Sequence, residues 1–247
     1  MGNKLVGTTS VKLGIYETST DTQLIGMVGD KKVFEDGRVF RLCKNGETAL
    51  VAGILVQSIV SLTSDDSIEI ATSQSAGDYE VNVTADATSE HAVHTLAGGY
   101  LVMSDTADDI GTFYKIKDNE ALVSGSSGII TLYDPLTTAI VAGTNECSFC
   151  VNPYSGVIID ANTAQLVGVP LIAVAASTST VPVFFWALEE GYGPGTDSGS
   201  AFAAGDYLVH SGGDLVTQTG AAENAVAVAI TAAAANDAAI VKYLAMG

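Results

Sequence analysis

The chain is 247 residues long, enough for one large or two smaller β-rich domains with buried cores. It holds 28 Asp and Glu against 10 Lys and Arg, a formal net charge of −18, so its surface repels nucleic acid and anionic lipid, and neither partner is expected. Hydrophobic residues make up 47 % of it, yet no run approaches the roughly 18–20 uninterrupted apolar residues of a membrane helix.

Met1-Gly2-Asn3-Lys4-Leu5-Val6-Gly7 lacks the continuous apolar core of a secretory signal, which predicts synthesis in the cytoplasm. Residues 1–32, rich in Thr, Ser and Gly with weak alternation, predict an extended N-terminal arm able to dock on a partner. From Val33 the β pattern strengthens. Asp36-Gly37 and Asn45-Gly46 lie between apolar runs and mark hairpins around the strand Arg38 to Cys43. Further strands are predicted at Ile54 to Leu62, Ser67 to Thr72, Tyr79 to Thr84, Tyr100 to Met103, Thr112 to Lys117 and Ile129 to Tyr133.

The apolar stretch Val167 to Leu188 is broken by Pro170, Pro182 and Ser177-Thr178-Ser179-Thr180, and it reads as two buried strands. Later strands are predicted at Tyr207 to His210, Leu215 to Gln218, Ala225 to Thr231 and Ala239 to Leu244. Ala232 to Ala239 reads as a helix or a loop. A strand every ten to fifteen residues with turns between them argues for an all-β chain of β-sandwich or small-barrel domains and against βαβ units. The expected division is an arm over 1–32, a β domain over 33–160 and a C-terminal β domain over 161–247.

Chemistry-bearing residues are sparse. Cys43, Cys147 and Cys150 are too few for a disulfide framework, which fits a reducing compartment. Cys147-Ser148-Phe149-Cys150 has CxxC spacing, but no second pair completes a zinc site, and residues three apart on a strand face opposite sides, so ordinary thiols are expected. His91, His94 and His210 are the only histidines. Ser89 and Glu90 adjoin His91, but sequence adjacency does not assemble a nucleophile, base and orienting acid.

Asp105, Asp108 and Asp109, with Asp65 and Asp66, are the densest carboxylates; they lack the EF-hand order and read as solvated acidic loops rather than a calcium site. Gly125-Ser126-Ser127-Gly128 and Gly191-Tyr192-Gly193-Pro194-Gly195 lack a phosphate-loop lysine and read as turns. Trp186 with Phe184 and Phe185 reads as a core anchor, with sugar stacking by Trp186 the alternative. No catalytic, cofactor or metal residue is assigned, and a non-enzymatic protein is expected.

Several runs together resemble virion structural proteins of tailed bacteriophages, especially phages of aquatic bacteria. They are Asp36-Gly37-Arg38-Val39-Phe40-Arg41, Thr48-Ala49-Leu50-Val51-Ala52-Gly53, Gly99-Tyr100-Leu101-Val102, Tyr114-Lys115-Ile116-Lys117, Leu132-Tyr133-Asp134-Pro135-Leu136, Asn152-Pro153-Tyr154-Ser155-Gly156-Val157 and Ala204-Gly205-Asp206. Ala201 to Ala245 also looks like the small β-fold of head-decoration proteins, here with an unusually Ala-rich last strand.

The resemblance implies a capsid decoration, or cement, protein on the outer surface of the virion. Such a protein clamps neighbouring major-capsid subunits after expansion, as a homotrimer, without catalysis. Residues 1–30 are then the expected capsid contact. Two competing readings are a tail or connector subunit, which forms rings, and a receptor- or glycan-binding spike component using the loop Tyr192 to Ser200.

Overall fold

A computed structural model describes residues 13–21, 27–60, 62–86, 88–104, 111–197, 199, 201–220 and 224–246. In chain order the strands are β1 (Lys31–Val33), β2 (Val39–Asn45), β3 (Val56–Gln57), β4 (Ile68–Glu69), β5 (Glu80–Thr84) and β6 (Tyr100–Met103). They continue with β7 (Phe113–Asn119), β8 (Ser127–Leu132), β9 (Glu146–Cys150), β10 (Ser155–Ile159) and β11 (Leu166–Pro170). The last are β12 (Phe184–Thr196), β13 (Tyr207–Ser211), β14 (Asp214–Thr217), β15 (Ala227–Ala229) and β16 (Ala238–Tyr243). The fold is all-β, and the described residues add only a single short 3₁₀ turn, Thr63–Asp65. None of their helices is long and apolar enough to cross a membrane.

The chain forms two compact units, Met1–Val60 with Pro153–Gly247, and Ser61–Asn152. The second is thus inserted into the first, and the division expected at residues 160 and 161 falls inside the first unit. Turn spacing did not reveal this because the first unit is joined by distant pairings, β10 lying parallel to β2 and antiparallel to β3.

In the first unit β2, β10, β3, β11 and β12 follow one another, and β12 pairs back on β2 to close a small barrel. The same β12 runs on into a second ring with β16, β15, β13 and β14, where a backbone bridge between Leu215 and Asp197 brings β14 back towards its start. Sharing one strand between two rings requires apolar side chains on both faces. Phe185 and Ala187 therefore face Cys43, Val56, Val157 and Val167, while Phe184, Trp186 and Leu188 join Phe40, Leu42, Leu208, Val241 and Tyr243. This is why Val183 to Leu188 is continuously apolar.

Gly191 to Gly195, expected as a turn, is instead the far half of β12. The ring interior explains the glycines: a Cβ on Gly193 would lie 2.3 Å from Leu188 Cδ2, and one on Gly195 would lie 2.6 Å from Leu215 Cδ1 and 2.9 Å from Val241 Cγ1. The helical alternative for Ala232 to Ala239 is not adopted. Ala233 bridges Phe202, the backbone turns at Asn236 (φ 61°), and Ala238 begins β16. Burial of Ala239, Val241 and Tyr243 in the core outweighs the helix preference of alanine, which is only a few tenths of a kcal/mol per residue.

The arm expected over residues 1–32 is not free where it is described. Leu13, Ile15 and Val28 join the core of the first unit, Ser19 exchanges backbone hydrogen bonds with Phe184 (3.0 and 2.8 Å), and β1 pairs with β2. The Leu13 carbonyl accepts from the Trp186 indole Nε1 (3.0 Å) and from Lys32 Nζ. The Lys32 ammonium sits 4.3 Å from the indole centroid, and burial pulls its pKa down against the opposing field of Glu17. Residues 1–12 and 22–26 of the expected arm lie outside the described residues.

The second unit is one six-stranded ring in the order β4, β9, β6, β7, β8, β5. A bridge between Ile70 and Val83, with Ala71 N–H donating to Asn82 O at 2.8 Å, closes it. Inward positions alternate along every strand, as in Val81 and Val83, Leu101 and Met103, Tyr114 and Ile116, Ile130 and Leu132.

Candidate functional site

The second unit brings three candidate residues together. Asp65, on the 3₁₀ turn, accepts from Ser89 Oγ at 2.7 Å and from His91 Nε2 at 2.9 Å, both on its Oδ1, and Phe149 packs edge-on against the imidazole at 5.7 Å. A hydrolytic triad runs from nucleophile to base to acid; here the carboxylate stands between the other two and the hydroxyl donates away from the imidazole. Ser89 is completely buried, so no substrate carbonyl can reach its Oγ. The cluster fixes the 3₁₀ turn to the barrel wall. Asp66 projects the other way and accepts from Ser148 Oγ at 2.5 Å. Asp105, Asp108 and Asp109 lie outside the described residues.

The other histidines also serve carboxylates. His94 Nδ1 donates to Asp118 at 2.7 Å on the surface, and that hydrogen bond holds the Asp118 carboxyl below the usual carboxylate range. His210 Nδ1 donates at 2.8 Å to Asp160, a buried carboxylate of the first unit that also accepts from the Asn162 amide.

Cys147 and Cys150 face opposite sides of β9, Cys147 into the core between Ile68 and Met103, Cys150 outward beside Tyr100. Burial pushes the Cys147 thiol up to about 12 and raises Cys43 and Cys150 as well, so none is a ready thiolate. Among the described residues no three His, Cys, Asp or Glu side chains gather closely enough to hold a metal ion. Trp186 is 1 % exposed, which removes the sugar-stacking alternative for its ring.

One pairing was not legible from the sequence. Arg41 Nε donates to both carboxylate oxygens of Glu189 (3.1 and 3.0 Å), and its guanidinium also donates to the Gly29 carbonyl at 3.1 Å. The two residues are 148 apart, and only the register of β2 on β12 brings them together.

What the first unit does present to solvent is an apolar sheet face. Tyr192, Lys242, Val228 and Tyr207 stand directly opposite one another on β12, β16, β15 and β13, a single row across four strands. Tyr207 is 58 % exposed, Tyr192 and Ile240 about half-exposed, and Ile230 and Leu244 flank them on the same face. The Lys242 ammonium lies 6.0 Å from the Tyr192 ring. None of these seven outward positions is a carboxylate, and the exposed Glu190, two residues before Tyr192 on β12, bounds the face at the end where Leu244 lies. The loop expected to reach a glycan from Tyr192 to Ser200 is, over Tyr192–Thr196, part of this strand rather than a loop.

Comparisons with protein-family models, curated proteins and solved structures find no match to the chain.

Proposed function

We propose that this chain is a non-enzymatic virion structural protein that binds the outer surface of an expanded phage capsid and cements neighbouring major-capsid subunits as a homotrimer. The observation that supports this reading best is the carboxylate-free apolar row from Tyr192 to Tyr207. Like charge keeps the rest of the surface solvated, whereas this row loses unfavourable water contact when covered.

Magnitudes favour several linked copies over one. Fully burying a large apolar side chain contributes about 1.5–3 kcal/mol, so covering five half-exposed ones contributes on the order of 5 kcal/mol. Association costs about 4–15 kcal/mol, so one copy binds weakly and a trimer gains by linkage. An acidic protein is also better suited to the outside of a head than to the side facing packaged DNA. Binding restricted to the expanded lattice would stabilise that lattice by mass action.

The test is light scattering on the purified chain and its co-sedimentation with emptied, expanded heads of the phage that encodes it. A trimer that pellets with heads, and loses this with Ile240→Asp, is expected. A ring of six or twelve, or a chain that ignores heads, overturns the reading.

A further inference from the structure

The second unit carries fourteen Asp and Glu across residues 61–152 and two basic residues, Lys115 and Lys117. Both are on β7, at alternate positions that continue outward from Phe113, while Tyr114 and Ile116 between them face the core. Phe113, 62 % exposed, stacks on Tyr100 at 5.1 Å with 19° between the rings, so its other face is open to solvent. Tyr100 stands directly opposite Lys115, and on the other side the Lys115 ammonium lies 5.9 Å from the half-exposed ring of Tyr133. All the fixed cations of an otherwise acidic barrel thus fall on one strip, interleaved with exposed aromatic rings.

We propose that this strip binds an anionic carbohydrate, a chain of uronic-acid type, with the carboxylates on Lys115 and Lys117 and the C–H faces of the sugars on Phe113 and Tyr133. Three quantities select this ligand. At roughly 3.3 Å per residue along the strand and about 4.8 Å between strands, the strip from Phe113 to Lys117 across three strands is about 13 Å by 10 Å, on the order of 130 Å² and far short of the ~800 Å² per partner that a stable protein interface takes. Single-stranded nucleic acid is held by basic grooves that track about 4–16 nucleotides of backbone, which two lysines on one strand do not form. A uronate chain has at most one charge per sugar and a C–H face on each ring, complementary to the negative π-face of an aromatic side chain. Asp118 beside Lys117 is also held by His94, and Lys117 helps keep its carboxyl below the usual range, so it offsets part of the Lys117 charge.

This goes beyond the capsid reading and stands without it, because the assay uses the free full-length chain. Titration calorimetry at low salt would compare oligogalacturonate, a neutral glucan oligosaccharide of equal length and an equally long oligothymidylate. Expected are binding to the uronate that weakens as salt rises, no binding to the neutral chain or the oligothymidylate, a loss of at least tenfold in Lys115→Ala/Lys117→Ala, and a similar loss in Phe113→Ala. Lys115→Arg/Lys117→Arg should retain binding, and Lys44→Ala in the other unit should not alter it. No uronate binding, equal affinity for the neutral chain, tighter binding of the oligothymidylate, or an undiminished double variant overturns the proposal. Circular dichroism of each variant separates loss of the strip from loss of the fold.

Discussion

Gly99 offers a steric test of the second barrel. It precedes β6, and a Cβ built on it would lie 2.1 Å from the carbonyl oxygen of Cys150, 2.9 Å from that of Leu96 and 3.1 Å from the carbonyl carbon of Val151. All three are backbone atoms, so no rotamer change relieves the contact. Reaching ordinary contact at 3.4 Å moves β6 and β9 apart by more than 1 Å where Tyr100 pairs with Cys150. That displacement breaks the ladder hydrogen bonds where Tyr100 pairs with Cys150 and Leu101 with Phe149. Two backbone hydrogen bonds at about 1 kcal/mol each, with overpacking at about 1–3 kcal/mol, give an expected loss of about 3–5 kcal/mol for Gly99→Ala.

Gly77→Ala is the control, with φ +97° and nothing within 4 Å of the added Cβ, and it should lose about 1–2 kcal/mol through backbone strain alone. Urea unfolding followed by amide exchange at β6 and β9 measures both, because the single tryptophan, Trp186, and five of the nine tyrosines report on the other unit. Equal losses in the two variants, or unchanged protection of the β6 and β9 amides in Gly99→Ala, would refute the reasoning.

Alkaline pH should destabilise the fold through its buried thiols. The Cys147 thiol rises from 9.0 to about 12 on folding, so the native state keeps a proton that the unfolded state releases, and stability falls by about 1.4 kcal/mol per pH unit between those values; thermal unfolding from pH 8 to 11 should show a shallower fall in Cys147→Ala, and parallel profiles would contradict the assignment. Arg41→Ala leaves the buried Glu189 carboxylate with only the half-exposed Lys31 at 3.9 Å and should cost about 3–5 kcal/mol, seen in Trp186 fluorescence on unfolding. Arg41→Ala/Glu189→Gln should recover part of that loss, and a single-variant cost under about 1 kcal/mol would show that the pair contributes little.

Much of the secondary structure was readable because the signals are local. Alternation in Tyr79 to Thr84, Thr112 to Lys117 and Ile129 to Tyr133 marked β5, β7 and β8, and the turn residues ahead of Tyr100 and Tyr207 marked the starts of β6 and β13. Gly191 to Gly195 misled because glycine serves both turns and crowded interiors, and the choice depended on Leu188, Leu215, Val241 and Tyr243. The described stretches 13–21 and 27–32 read as an arm because the contacts of Leu13, Ser19 and Lys32 rest on Phe184 and Trp186, more than 150 positions away. Alternation over Thr112 to Lys117 marked β7 as a strand, but the strip was not legible from it, because Tyr100 and Tyr133 join Phe113, Lys115 and Lys117 only through strand register.

By itself the sequence determined the class: turn residues between β-branched and aromatic runs leave the chain few alternatives to strands, and a charge of −18 makes the surface electronegative on average. Only the tertiary structure decided that the strands close into rings, that one unit is inserted in the other, and that Ser89, His91 and Asp65 form a structural cluster rather than a relay. The physical reason is range. Propensity and alternation act over a few residues, whereas ring closure and side-chain convergence depend on pairings well outside that range, from Ile70 with Val83 to Arg41 with Ala187.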